Sequence, residues 1–453
     1  MQASKVAALL AITLSTCGIA RAADPPAVGI PGKDGWLFYR YEAAEAATEP
    51  AVAKSVQLIS RISRVLARND VTLVVTLVPV KMRIHQAHLP ADFKLSPYMA
   101  TRYENTARAL HADGVAFIDL ETPFLAHPKR EGDVSLYYRL DTHWSPLGAF
   151  AAAEAIRAGI DAQPELKKVF DATPEEKYTM QWIDKGTPTA NDLASQLPKG
   201  AAVPPAEPYL GLKVTRVKPL SSGLTEDEVA PPVTLLGSSY SGDWTTVPDA
   251  LRFTLQRDLL SVSIPANQGS WVGFETYVRD DSFQSHRPKL IIWEMPERDL
   301  PAVPSHKYRE ARYVMEDTEW LLRAAAWIEK ECAPAEVTVK GMSGPLGASA
   351  PSTKDGDFVE IAFTRPLERS EYISAKLLTH GSTRTKLEPM GAGMAARQTT
   401  LVVAGDDEAH AFRTPLYTAT GKGYDKVRIY PGITRKFAIE DVRVCKQSEE
   451  LLK

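Results

Sequence analysis

The ten residues from Val71 to Val80 read Val-Thr-Leu-Val-Val-Thr-Leu-Val-Pro-Val. So apolar a run leaves no face for water, and it needs cover on both sides, as a parallel strand has between layers of helices. Helical segments flank it, from Val52 to Ala67 and from Tyr98 to Ala112, and further apolar runs follow at Val115–Leu120, Val233–Leu236 and Leu290–Glu294. Strands alternating with helices predict an α/β sheet. After about residue 333 the pattern becomes short runs, many alternating, such as Val337–Gly341, Val359–Phe363 and Lys426–Tyr430, which predict an all-β sandwich. The proline-rich stretch from 162 to 230 reads as a long, mostly irregular insertion walling a groove.

With 453 residues the chain has room for two or three domains. A net charge of −3 gives no overall attraction to nucleic acid, so an anionic partner must meet a local basic patch. At the N-terminus, Lys5, the apolar Val6–Leu14 and Ala20-Arg21-Ala22 form a secretory signal over residues 1–22, too short to span a bilayer. Leu14-Ser15-Thr16-Cys17 is a poorer match, to a lipoprotein box. Removing the signal leaves Cys332 and Cys445, which bracket the β region; in an exported chain such a pair is most simply a disulfide.

Two short motifs carry the chemistry. Asp141-Thr142-His143-Trp144 sets a carboxylate two residues from an imidazole, and Gly237-Ser238-Ser239-Tyr240-Ser241 sets serines just after an apolar strand. A serine hydroxyl needs a base to take its proton and a third group to orient that base, and triads are defined by geometry rather than chain order. Ser145-Pro146 begins an alanine-rich helix directly after the Asp-Thr-His-Trp motif, with serine as N-cap and proline at the first helical position. Against this stands the plain reading, in which Asp141 caps a turn and His143 is a buried structural histidine. His85 and His88 have no HExxH motif or cysteine cluster to make a metal site, and none is expected.

These motifs, with Gly32-Lys33-Asp34-Gly35-Trp36-Leu37-Phe38, resemble the SGNH-like exopolysaccharide acetyltransferases of the alginate machinery. The resemblance implies a circularly permuted SGNH-hydrolase-like α/β domain over residues 23–331, then a disulfide-stapled β-sandwich carbohydrate-binding module over 332–453. It implies Ser239 as nucleophile, His143 as general base and Asp141 as the residue orienting it, with Ser238 the rival serine. SGNH hydrolases in general carry Asp-x-x-His; the shorter spacing here is shared by the alginate branch. Backbone N–H groups of Ser239 and Tyr240 are the oxyanion candidates, with Tyr240, Asn267, Tyr277 and Arg298 as candidate side-chain donors.

In the β region, Arg413, Lys422, Lys426, Arg428, Arg435 and Lys436 face only Asp425 in sequence, with Arg384, Lys386 and Arg397 nearby. They form a candidate basic face for a polymer of uronates, since Arg and Lys pair well with carboxylates; Tyr417, Tyr424 and Tyr430 are candidates for stacking on sugar rings. The alternative is an alternately charged, solvated surface. The expected activity is periplasmic O-acetylation of alginate, with an acetyl donor but no bound cofactor. The resemblance further implies a membrane-bound acetyltransferase and an outer-membrane repeat lipoprotein as partners. The rival readings are a carbohydrate acetylesterase with the same triad and a non-catalytic polysaccharide-binding subunit.

Overall fold

The computed structural model describes residues 27–453 apart from 187–189, 219–229, 265–268, 308–313, 330–331, 343, 369, 380–383, 392–398, 403–408, 416–422 and 453. The secretory signal therefore lies outside the described residues. Five parallel strands make the first sheet: β1 (Thr72–Val78), β2 (Ala116–Ile118), β3 (Val233–Gly237), β4 (Leu260–Ser263) and β5 (Leu290–Pro296), in the order β2-β1-β5-β3-β4. The longer helices are α1 (Glu49–Arg68), α2 (Pro97–Ala112), α3 (Pro146–Ala162), α4 (Val247–Leu255), α5 (Gly269–Arg279) and α6 (Asp317–Ile328).

The apolar run that opened the chain's reading is buried on both faces. Val74 and Val78 face a core built with α3 and α4, while Leu73, Val75 and Leu77 face another built with α1, α5 and α6. Strand β4 was missed in the sequence because it is four half-buried residues at the sheet's edge.

The stretch from 162 to 230 is more ordered than expected. It holds a helix, Pro164–Asp171, and an antiparallel hairpin of Tyr178–Gly186 with Tyr209–Arg216. Met180, Trp182, Leu212 and Val214 pack this hairpin onto the core beside α3 and α4. Each arm offers only two of these core-facing residues among polar and charged neighbours, which makes the strand pair hard to see in sequence.

Near the start of the chain, Gly29–Pro31 and Leu37–Tyr39 form a short antiparallel hairpin. The strands after residue 331 are all antiparallel: β6 (Cys332–Pro334), β7 (Val337–Gly341), β8 (Ser349–Ser352), β9 (Val359–Phe363), β10 (Glu371–Thr379), β11 (Arg384–Met390), β12 (Thr399–Val402), β13 (Ala409–Pro415), β14 (Lys426–Tyr430) and β15 (Thr434–Lys446). One sheet runs β6-β15-β10-β13, with β8 also on β15; the other runs β7-β9-β14-β11-β12. Inward residues such as Ile361, Val427 and Ile429 meet Ile373, Leu377, Phe437 and Ile439 from the facing sheet, which makes a sandwich. Cys332 and Cys445 are register partners on β6 and β15 and are joined by a disulfide.

The two units share material. Leu451 packs into the core of α1, α5 and α6, Glu450 pairs with Arg64 and Arg68 of α1, and the Gln447 amide donates to the Leu322 carbonyl of α6.

Candidate active site

Ser145 anchors the Asp-Thr-His-Trp segment. Its hydroxyl accepts from the N–H groups of Leu147 and Gly148 at the start of α3 and donates to the Ser135 carbonyl at 2.5 Å. Its own N–H donates to the Leu136 carbonyl, and the Tyr138 N–H donates to the His143 carbonyl. Residues 137–144 thus form a loop closed at its base, with the Trp144 indole N–H donating to the Tyr240 carbonyl at 3.0 Å. Within it, Asp141 Oδ1 accepts the His143 backbone N–H and lies 2.7 Å from His143 Nδ1. His143 Nε2 lies 2.8 Å from Ser239 Oγ. Burial opposes ionisation of Asp141, but the hydrogen bonds and charge of His143 outweigh it and hold the carboxyl below its ordinary range.

The two serines divide clearly. Ser239 meets the imidazole, whereas Ser238 Oγ points at Glu294, 3.0 Å from both carboxylate oxygens. Glu294, on β5, also accepts from the Ser238 N–H at 2.8 Å and the Ser241 hydroxyl at 2.8 Å. Gly237 makes this possible: a Cβ there would lie 2.3 Å from Ser241 Oγ and 2.7 Å from Glu294 Oε2. The motif therefore reads as a turn pinned from beneath by one buried carboxylate, with Ser239 left on top. Burial pushes the Glu294 carboxyl up to about 7 against those hydrogen bonds.

Three further groups were not foreseen. Asp192, from the proline-rich stretch, accepts the Thr142 N–H and hydroxyl, while its own N–H donates to Asp141 Oδ2. Burial and then the charge of Asp141 raise its carboxyl. Lys81, fully buried just past β1, donates to the carbonyls of Leu37, Tyr138, Arg139 and Asp141 at 2.7–3.0 Å, which ties the Gly-Lys-Asp-Gly-Trp-Leu-Phe hairpin to the histidine loop. Trp244 sets its ring edge-on to His143, with centroids 4.7 Å apart. A lone charge in an otherwise apolar strand was the available signal for Glu294; nothing in sequence singled out Asp192.

Several expectations are corrected by the geometry. The Tyr240 N–H is taken by Ser238 Oγ at 3.2 Å, which leaves the Ser239 N–H as the backbone donor with no partner among the described residues. The Tyr240 hydroxyl donates to the Thr142 carbonyl and accepts from Arg298, and Tyr277 is bound to Thr234 in the core. Asn267 lies outside the described residues. Asp141, His143 and Asp192 bring three potential ligand atoms within 4.8 Å of one another. Their carboxylate oxygens accept hydrogen bonds from donors of the chain itself, which orient both carboxylates about the histidine loop.

The expected basic face is divided between the two sheets, with Arg384 and Lys386 of β11 sharing the sheet of Lys426 and Arg428. Lys426 and Arg428 lie on β14, whereas Arg413 and Arg435 belong to β13 and β15 of the facing sheet, and Lys422 lies outside the described residues. Arg428 is bound to Glu360 at 2.9 Å and covers the Phe358 ring, and its cross-strand neighbours are Glu360 and Glu388. That row alternates in sign. Tyr424 is in the sandwich core, Tyr430 donates to Glu388, and Tyr417 lies outside the described residues.

Residues 30–297 match the family described as SGNH hydrolase-like domain, acetyltransferase AlgX. The chain belongs to this acetyltransferase family. It is similar to a probable alginate O-acetylase AlgJ of Azotobacter vinelandii, 30% identical over 324 residues, which covers 68% of this chain and 78% of that relative. Among solved structures, Pseudomonas aeruginosa AlgX superposes with a TM-score of 0.66 at 15% identity, covering 93% of this chain and 95% of that one. The O-acetyltransferase domain of Pseudomonas putida AlgJ gives 0.55 at 22% identity, covering 66% of this chain and 99% of that one. At these identities the likeness is one of fold. The AlgX-family match spans the histidine loop, the serine turn and all five strands of the parallel sheet. No helix among the described residues is long and apolar enough to cross a membrane.

Proposed function

We propose that the protein is a periplasmic O-acetyltransferase that moves acetyl groups onto hydroxyls of an alginate-like polyuronate through an acyl-enzyme on Ser239. The observation that carries this reading is the continuous relay from Asp141 through His143 to Ser239 Oγ. In the first half, Ser239 Oγ attacks the acetyl carbonyl of a donor while His143 Nε2 takes the hydroxyl proton, with the Ser239 N–H facing the developing oxyanion. The tetrahedral species collapses, the donor's leaving group departs with the proton from His143, and the acetyl stays on Ser239. In the second half a sugar hydroxyl gives its proton to His143 and attacks the acetyl-serine, and Ser239 recovers its proton as it leaves. Asp141 keeps the imidazole oriented and stabilises its charged form. No bound cofactor enters these steps.

The family membership and the alginate O-acetylase named among the relatives support alginate as the acceptor. The Cys332–Cys445 disulfide and the secretory signal support the periplasm. In this reading residues 23–331 carry the transfer and 332–453 are a carbohydrate-binding module. A membrane-bound acetyltransferase supplies the acetyl group, and an outer-membrane lipoprotein receives the polymer.

Incubation with an activated acetyl donor, followed by mass spectrometry, is expected to find the acetyl group on Ser239, and adding mannuronate oligomers is expected to yield acetylated sugar. Free acetate alone, with oligomers present, would make the protein an esterase instead. Ser239→Ala is expected to abolish the adduct; an adduct on Ser238 would end the proposed assignment.

A further inference from the structure

The chain contains eight tryptophans, and six of them are at most 5% exposed. Trp244 is 55% exposed, although it touches the imidazole of His143. Its position is built, not incidental. It lies in a single helical turn, Asp243–Thr245, directly after the serine motif. The buried Thr245 hydroxyl donates to the Gly242 carbonyl at 2.6 Å. A Cβ on Gly242 would meet the Trp244 indole nitrogen at 2.9 Å, so glycine is what lets the ring lie there. The next residue, Thr246, is β-branched and holds φ at 62°, a left-handed conformation that such residues avoid and that surrounding structure must impose.

An unbroken file of contacts leads away from this ring. His143 packs on Tyr240, the Arg298 guanidinium lies over Tyr240 and over Tyr39, and Tyr39 meets Tyr41 edge to face at 5.3 Å. Tyr41, at the far end, is 64% exposed. An exposed indole and an exposed phenol therefore flank a largely buried file that includes His143 of the relay. Flat aromatic faces present large apolar area at low conformational cost, and the C–H face of a pyranose ring is their complement.

We propose that Trp244 and Tyr41 are stacking platforms for sugar rings of the acceptor polysaccharide, with Trp244 holding the ring whose hydroxyl reaches His143. This rests on the acetyl-transfer reading above, because it is the incoming sugar, not the donor, that has to present a hydroxyl beside the imidazole. It places the working contact with the polymer beside His143 rather than on the sandwich.

Binding is measured without donor, so no turnover occurs. A mannuronate hexamer is titrated into the full chain by calorimetry, with a neutral mannose hexamer as the second ligand. Trp244→Ala is expected to weaken hexamer binding by about tenfold or more, the loss typical of a buried aromatic anchor, and Trp244→Phe to retain most of it. Tyr41→Ala is expected to weaken it by a smaller factor. Indole emission of the wild type is expected to shift on binding, and that shift to vanish in Trp244→Phe, a reading that stands even if the alanine variant folds poorly. Equal effects on both hexamers would show that the ring face alone is read, and a larger effect on the acidic one that the carboxylate is read too; both support the platforms. A variant that binds the hexamer as tightly as wild type overturns the platform it removes. Absence of acetyl on Ser239 would overturn the transfer reading while leaving these affinities as they are.

Discussion

Glu294 is a buried carboxylate with three donors from one turn, and the nucleophile candidate rides on that turn. Its folded carboxyl, pushed up to about 7, lies above its ordinary value of 4.5. The folded state therefore binds this proton more tightly than the unfolded state, so the stability it contributes is full below pH 4.5 and is lost as pH rises to about 7. Glu294→Gln removes this dependence. Measured by urea unfolding, the variant is expected to gain on the wild type between pH 4.5 and 7 by roughly 3 kcal/mol. Its amide oxygen can accept the Ser238 N–H, but its NH2 then faces the Ser238 hydroxyl, which has to accept where it now donates, and kcat is expected to fall about tenfold or more as the turn shifts. A variant more stable at neutral pH yet slower is the signature of a positioning residue; unchanged kcat would make Glu294 purely structural. Lys81 works on the other motif. Lys81→Met keeps the length but strips the cation from four carbonyls, with an expected loss of about 2–4 kcal/mol by the same unfolding assay, since buried acceptors left unpaired are costly.

Helix α3 fixes where the histidine loop stands, and Gly148 in its first turn shows how tightly. A Cβ there would lie 2.1 Å from the Leu136 carbonyl oxygen and 2.9 Å from the Trp144 Cβ. Gly148→Ala is expected to cost about 1–3 kcal/mol and to slow acetylation of Ser239 by pushing the helix off its loop, read by unfolding and by the rate of adduct formation together. At this scale the sequence was readable where a single residue type decides an element. The Ser145-Pro146 start of α3 and the doubly buried β1 need no knowledge of distant contacts. The hairpin at Tyr178–Gly186 and Tyr209–Arg216 gains its apolar partners only from α3 and α4, so its residues looked irregular on their own. Asp192 is the same case for the site, being 51 residues from the Asp141 carboxylate to which its N–H donates. The sandwich strands β8 and β11 escaped notice because Ser, Pro, Thr and Lys fill them, and their pairing comes from β15 and β14.

Across the whole molecule, the seam between the units is built from residues far apart in the chain. Leu451 is buried against α1, α5 and α6, and every tryptophan in the sequence lies at or before Trp327, so indole emission reports the first unit alone. Leu451→Ala is expected to lower the unfolding free energy seen by indole emission by about 2–4 kcal/mol, although the change sits in the tail beyond the sandwich. An unshifted emission transition would show that the tail merely rests on the surface. The feature also bears on how far a change at the chain's far end can be felt. Leu451 belongs to one buried core with Leu73, Val75 and Leu77 of β1 and with Met295 of β5. Loss of that residue's cover would therefore reach the sheet that carries Ser239 without any change in the loops around it.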